Sequence, residues 1–308
     1  MMEYIKTTVI SDQDALPLST MIVEPSIQPV GIVQLVHGMA EHKERYQPLM
    51  EYLADLGYVV GIHDHRGHGQ SIRSAEDLGY FYETGASALV EDTYQISGFL
   101  KDKYPQQPLF LFGHSMGSLI VRVYLKKYDA MIDGLIVCGS PSHNPAAGMG
   151  KWLAKQVGKK KGDHFRCRVI NNMAFGAFAK SVKSARTTYD WLCTDPAVVD
   201  AYIEDPLCGY VFTVNGFEGL FGLMQETYRK QGWNRHHLQL PILFIAGEED
   251  PCIVNSKKFE QAQKSLKKLG YTNIQSKLYP GLRHEILNEP VKLEIFKDVA
   301  QHLLIWSR

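Results

Sequence analysis

The chain lacks the marks of a membrane-spanning, secreted or nucleic-acid-binding protein. No stretch approaches the roughly 18 consecutive apolar residues that a transmembrane helix needs. The first residues, MMEYIKTTVISDQD, hold no apolar segment of the secretory-signal kind. Only five of the 308 residues are Cys (138, 167, 193, 208 and 252), an odd number with no C-x-x-C pair, which argues against a disulfide framework. A reduced, cytoplasmic setting is therefore expected. Neither sign of charge is in excess: 33 Lys and Arg balance 33 Asp and Glu. That balance argues against a nucleic-acid partner and against a polybasic membrane-surface protein. Internal repeats and low-complexity segments are also missing. What remains, 45% hydrophobic and 21% charged residues, suits a globular enzyme long enough to bury a sizeable core.

The first half alternates two periods. Short apolar runs at 31–38, 58–65, 108–113 and 133–140 read as strands. Between them, 45–57, 88–104 and 118–128 carry apolar residues at helical spacing. Strands alternating with helices predict a mostly parallel central sheet with helices on both faces. Sites in such sheets lie outside the carboxyl ends of the strands, so the residues just after each run matter most. From 141 to 237 the strand-like runs stop and amphipathic patches take over, which predicts a helical cap inserted into the fold. The alternation then resumes with a strand at 240–247, a helix at 256–270, a strand at 273–279 and a closing helix at 291–306. The expected organisation is thus core (1–140), cap (141–237) and core again (238–308).

Gly113-His114-Ser115-Met116-Gly117 has the form G-x-S-x-G between a predicted strand and a predicted helix. A tight turn of that kind lifts the Ser115 hydroxyl above the sheet. Side chains two residues before and two after would strike neighbouring backbone, so both positions are Gly. The turn also leaves the Met116 N–H free at a helix N-terminus, where it can hold an oxyanion. A serine needs a base. Among twelve His, His284 lies in YPGLRHEIL, a loop between the last predicted strand and the last helix, where α/β-hydrolases carry their base in the order Ser, acid, His. The acid that orients the imidazole is expected directly after a strand between the two. Asp250 in GEED is chosen, although strand logic alone does not separate it from Glu248 and Glu249. His37-Gly38-Met39-Ala40 follows the first apolar run, and the Met39 amide is the expected second oxyanion donor. His63-Asp64-His65-Arg66-Gly67-His68 offers a metal-dependent alternative. Its H-x-H-x-x-H pattern resembles the ligand motif of metallo-β-lactamase-type hydrolases, which normally carry Asp where this chain has Gly67. Otherwise Asp64, Arg66, His68 and Ser71 are expected to hydrogen-bond a Gly-rich loop into shape.

Taken together these segments resemble the α/β-hydrolase superfamily, and within it the monoacylglycerol lipase and lysophospholipase group, also labelled serine aminopeptidase-like. HGMAEHKERY (37–46) is similar to that group's HGxxEHxxRY, DHRGHGQS (64–71) to DxRGHGxS, and GHSMGS (113–118) to GHSMGG. GEEDPCI (247–253) and YPGLRHEILNE (279–289) resemble its acid and base loops. Ser118 replaces a usual Gly. The resemblance implies a serine hydrolase of carboxylic esters, with Ser115, Asp250 and His284 as triad and the amides of Met39 and Met116 as oxyanion hole. It also implies that Glu41 and Arg45 shape the place of a polar glycerol end. No metal and no organic cofactor is expected, and the partner is a small lipid or ester substrate. In the cap, Met and aromatic residues, Phe175 and Phe178 among them, are candidates to line an acyl slot. Transient contact of the cap with a membrane surface is a further expectation, and an amide hydrolase or peptidase with the same triad remains the alternative chemistry.

Overall fold

A computed structural model describes residues 3–307. Eight strands form one sheet in the order β1-β2-β4-β3-β5-β6-β7-β8. β3 (Gly31–Val36), β4 (Tyr58–His63), β5 (Leu109–His114), β6 (Gly134–Cys138) and β7 (Ile242–Gly247) are buried at every residue. They and β8 (Ile274–Tyr279) run parallel. Continuous runs such as GIVQLV and ILFIAG suit strands covered on both faces, as a parallel sheet requires. α1 (Gln47–Asp55) and α9 (Lys292–Trp306) cover one face with Leu49, Leu53, Phe296 and Val299. α2 (Gly85–Lys103), α3 (Met116–Tyr128) and α8 (Ser256–Lys267) cover the other with Leu100, Leu119 and Phe259.

The expected mostly parallel sheet is the one found, with an addition at its start. β1 (Tyr4–Ile10) and β2 (Pro17–Val23) form an antiparallel hairpin, and β2 pairs antiparallel with β4. The run 133–140 therefore holds the sixth strand in chain order rather than the fourth.

Between β6 and β7 there is no strand among the described residues. Four helices fill the interval: α4 (Ala147–Lys161), α5 (Arg168–Ser181), α6 (Pro196–Glu204) and α7 (Val214–Tyr228). α7 packs against α2, α3 and α4, and its fully buried Phe217 joins Phe81, Phe212 and Leu119 in one apolar cluster. The interior of this segment is therefore continuous with the core over one face of the sheet. β4 lies on one side of β3 and β5 on the other, so the strand order reverses above the carboxyl end of β3. Ligands bind at such a reversal in open α/β sheets.

A cluster of imidazoles lies at the end of β4. His37, His63, His65 and His68 are all fully buried. Neither ring nitrogen of His63 has a hydrogen-bond partner among the described residues. Burial, with the nearby Arg66 and Lys43 charges adding to it, holds His63 down at about 3. Burial likewise holds His68 at about 4. In the unfolded chain each titrates near the ordinary value of about 6.5. These histidines are thus neutral in the fold and take up protons only on unfolding. Their contribution to stability is complete above the unfolded value and drains away as pH falls through the interval down to the folded values. Each such histidine adds about 1.4 kcal/mol per pH unit to the acid slope inside that window. The variant His63→Leu is expected to flatten the fall of unfolding free energy between about pH 6 and pH 4 by that amount. Urea melts across this range check it; an unaltered slope would show that His63 is not the proton acceptor.

Candidate active site

The turn from β5 into α3 is built by close packing. Ser115 has φ 53° and ψ −118°, left-handed territory that a non-glycine residue occupies at a cost of about 1–3 kcal/mol. Its N–H donates to the Cys138 carbonyl (3.0 Å) and its carbonyl accepts the Ser118 N–H (2.9 Å). A methyl group on Gly117 would lie 2.5 Å from the His37 carbonyl oxygen, and one on Gly113 equally close to the Gly117 oxygen. Glycine at both positions lets α3 sit against the end of β3. Ser118, the departure from the usual Gly, turns its hydroxyl back to the Ser115 carbonyl.

Three chain-distant groups meet above this turn. The His284 Nε2 lies 2.8 Å from the Ser115 Oγ, and its Nδ1 lies 2.9 Å from Asp250 Oδ2. Asp250 Oδ1 accepts the Cys252 N–H at 2.8 Å, which fixes the carboxylate. Both Asp250 and His284 are 2% exposed, whereas Glu248 and Glu249 point to solvent. The Asp250 carboxylate selects the tautomer with the proton on Nδ1, leaving the Nε2 lone pair for the serine hydroxyl. Burial pushes the imidazole's proton affinity down. The adjacent Asp250 carboxylate outweighs it, so the net shift is upward.

The loop after β3 carries its own polar scaffold. Glu41 Oε1 accepts the Gly38 N–H (2.6 Å) and the Tyr46 hydroxyl (2.9 Å), and Oε2 accepts from Arg45 (2.7 Å). Burial works against ionisation of Glu41. Its bonds to His114, Arg45 and the Gly38 amide overcome that and hold it below the usual carboxylate range. Arg45 also donates through both terminal nitrogens to Glu285, at 2.8 and 2.6 Å. The amides of Met39 and Met116 have no acceptor among the described residues, and Met116 is the first residue of α3, where the helix supplies none.

A cavity of about 710 Å³ opens over these groups. Its polar end holds Ser115, His284, Glu41 and the Gly38–Ala40 backbone, and its apolar wall includes Phe175, Phe178, Leu153 and Met224. Arg45 is not on this wall; its guanidinium is committed to Glu41 and Glu285, so it acts on the site through them. Sequence reasoning passed over Glu285, which is visible only as the neighbour of His284. Trp191 was missed too, since nothing in its surroundings forms a motif. Its ring packs 5.0 Å from both the His284 and Phe178 rings, and its carbonyl accepts the His284 N–H at 3.4 Å.

The histidine motif at 63–68 does not gather ligands. The His65 ring stands edge-on to His63 (88°) and to His68 (83°). Among the described residues, the side chains whose ligand atoms do converge are His42 with Asp205 and Cys208, and Asp250 with Cys252 and His284. Asp64 instead accepts from the Lys43 and Gln70 amides, while the Arg66 guanidinium bonds Asp14 and Asp92. The metal-dependent alternative therefore has no convergent ligand set at this motif.

The family described as "Serine aminopeptidase, S33" matches residues 27–291 of the chain. A protein named monoacylglycerol lipase from Mycolicibacterium smegmatis is 28% identical over 281 residues, covering 91% of this chain and 90% of its own. A human protein named monoglyceride lipase is 30% identical over 290 residues, covering 92% and 84%. Among solved structures, a thermostable carboxyl esterase from Bacillus coagulans in complex with glycerol superposes with a TM-score of 0.90 at 26% identity, over the whole of both chains.

Because the Asp250 carboxylate is what lifts the His284 imidazole against its burial, Asp250→Asn is expected to lower the midpoint of its titration relative to the parent protein. Proton NMR of the imidazole, assigned with a His284 variant, measures this. A midpoint unmoved by the substitution refutes the assignment of Asp250 as its partner.

Proposed function

The chain belongs to the serine aminopeptidase S33 family of α/β-hydrolases and is a carboxylic ester hydrolase; from this premise we propose that it cleaves monoacylglycerols through an acyl-serine intermediate on Ser115. His284 takes the hydroxyl proton as Ser115 attacks the ester carbonyl. The amides of Met39 and Met116 hold the oxyanion, at donor positions that need no reorganisation during the reaction. His284, kept in register by Asp250, then protonates the departing alcohol and afterwards activates water. The reaction needs no metal and no organic cofactor. The observation that carries this reading is the continuous Asp250–His284–Ser115 relay at the polar end of a cavity whose wall is otherwise mostly apolar.

The substrate class follows from the two ends of that cavity. Phe175, Phe178 and Met224 offer an acyl chain a wall of adaptable apolar side chains. Glu41 and the loop backbone offer hydrogen-bonding groups to a small polyol. Relatives named for monoacylglycerol and monoglyceride hydrolysis support the same assignment. Access to a lipid comes through transient contact of α4 and α5 with a membrane surface: Met149, Trp152, Val169 and Met173 on these helices are exposed, beside Lys159, Lys160 and Lys161. No helix among the described residues is long and apolar enough to cross a membrane. All five cysteines are unpaired, which suits a cytoplasmic setting.

The family description also names a peptidase. An aminopeptidase needs a free carboxylate for the substrate's ammonium group. The two buried acids near Ser115, Glu41 and Glu285, already share the Arg45 guanidinium, so the ester reading is preferred.

Ser115→Ala is expected to abolish monoacylglycerol hydrolysis and fluorophosphonate labelling while leaving the melting temperature within a few degrees. Retained turnover would rule out Ser115 as nucleophile. A parallel assay on an aminoacyl amide should give far lower kcat/KM, and the reverse ranking would favour the peptidase. Phe178→Ala should shift preference among acyl chain lengths, and an unchanged profile would reduce that ring to packing.

A further inference from the structure

A second convergence of chemistry lies beside the catalytic loop, on groups the mechanism above does not use. His42 follows Glu41 directly. Its Nε2 lies 2.8 Å from Asp205 Oδ2, in the segment that leaves α6, and its Nδ1 lies 2.7 Å from Glu44 Oε2. The Cys208 sulfur belongs to the same cluster: one ligand atom each from His42, Asp205 and Cys208 falls within 4.8 Å of the others. His42 and Cys208 are each 8% exposed.

The imidazole is held between two carboxylates, so the Nε2 nitrogen and the Asp205 oxygen face each other with a lone pair each. Two lone pairs at hydrogen-bond distance need a positive centre between them. A proton on Nε2 supplies it, and so does a divalent cation. We propose that His42, Asp205 and Cys208 form a binding site for a borderline-soft divalent cation of the zinc type, with water in a fourth position.

The donor set supports the choice of ion. Imidazole nitrogen, carboxylate oxygen and thiolate sulfur together suit zinc, at bond lengths of about 2.0–2.3 Å. Ligand atoms at those lengths stand about 3–4 Å apart around a tetrahedral centre, so loading needs shifts of well under an ångström for the His42–Asp205 pair. Glu44 behind His42 Nδ1 is the carboxylate backing that metal-bound histidines ordinarily carry. The charges facing the cluster are Glu41, Glu44, Asp205 and Glu285 against Lys43 and Arg45, a surplus of negative charge. Burial raises the proton affinity of the Cys208 thiol, so a cation must displace its proton to solvent along with any proton on His42.

The placement gives the ion a consequence. The Ala40 carbonyl, next to the Met39 amide, already accepts the Tyr202 hydroxyl (2.9 Å) and the Gly209 N–H (3.0 Å). A cation held by His42 on one side and by Asp205 and Cys208 on the other bridges the same two segments and restrains the loop that carries the oxyanion donor.

The test uses the full-length chain stripped with a chelator, then titrated with cobalt(II) and, separately, with zinc in equilibrium dialysis. A thiolate-to-cobalt charge-transfer band should appear in the parent protein, vanish in Cys208→Ser and persist in Cys252→Ser. Glu44→Gln should weaken zinc binding about 10–100-fold, and affinity should fall as pH is lowered. Circular dichroism establishes that the variants are folded, and Glu44→Gln carries the test should Cys208→Ser misfold. Absence of a band in the parent protein would mean that a proton alone occupies the edge and overturns the proposal. So would a band that survives Cys208→Ser, or one lost in Cys252→Ser, which would place the cation on His284 instead.

Discussion

The close approach of α3 to the carboxyl end of β3 is the constraint on which the rest depends. Gly117 sits where any side chain would strike the Val36 and His37 carbonyls, and Gly113 where one would strike Gly117. Only with that contact in place does Ser115 take up its left-handed conformation, with its amide tied to β6. The strain of that residue, about 1–3 kcal/mol, is small against the burial of the five central strands around it. The same contact brings the loop after β3 beside the serine, since a methyl group on Gly38 would lie 3.1 Å from the Ser115 Cβ. One packing decision therefore places the hydroxyl and both free amides together.

Buried charge ties this arrangement to the loop that holds the imidazole. Glu41 fixes the Gly38 amide, Arg45 fixes Glu41, and the same guanidinium grips Glu285, the residue after His284. A buried ion-pair chain of this kind adds little net stability, because desolvation offsets most of its attraction. What it supplies is geometry: breaking any one member leaves an uncompensated charge, so the two loops hold one relative position. The negative charges of Glu285 and Glu41 also add to the effect of Asp250 in raising the His284 proton affinity.

How far this was legible in the sequence varied with how local the signal is. The central strands were readable because strands buried on both faces are apolar throughout, and GIVQLV or LFLFGH could be little else. β1 escaped because an edge strand need only alternate: in YIKTTVI the half-buried residues mark the strand only once its partner is known. G-x-S-x-G, the loop order and the family resemblance named Ser115, Asp250 and His284. The exclusion of Glu248 and Glu249, which lie on the same turn, required the fold to show which carboxylate faces inward. Arg45 was legible as a residue of note but not in its partner, because Glu285 lies 240 positions away. The triple histidine motif looked like a ligand set because spacing records residue type but not ring orientation. Their interleaved, fully buried rings belong to packing.

The segment 141–237, expected to be a cap, was the least legible part, and its packing explains why. α7 merges with the core of the sheet through Phe217 and Leu220, so part of it reads as core sequence interrupted by a long excursion. α5 is the opposite case: only Ile170 of its fourteen residues is fully buried, while Phe175 and Phe178 lie half-buried along the cavity. With one buried residue in fourteen, α5 buries fewer of its side chains than α4, α6 or α7. The Phe178 ring meets Trp191, and Trp191 meets His284. The helix of the wall with the fewest buried residues is thus joined by an unbroken aromatic path to the His284 imidazole.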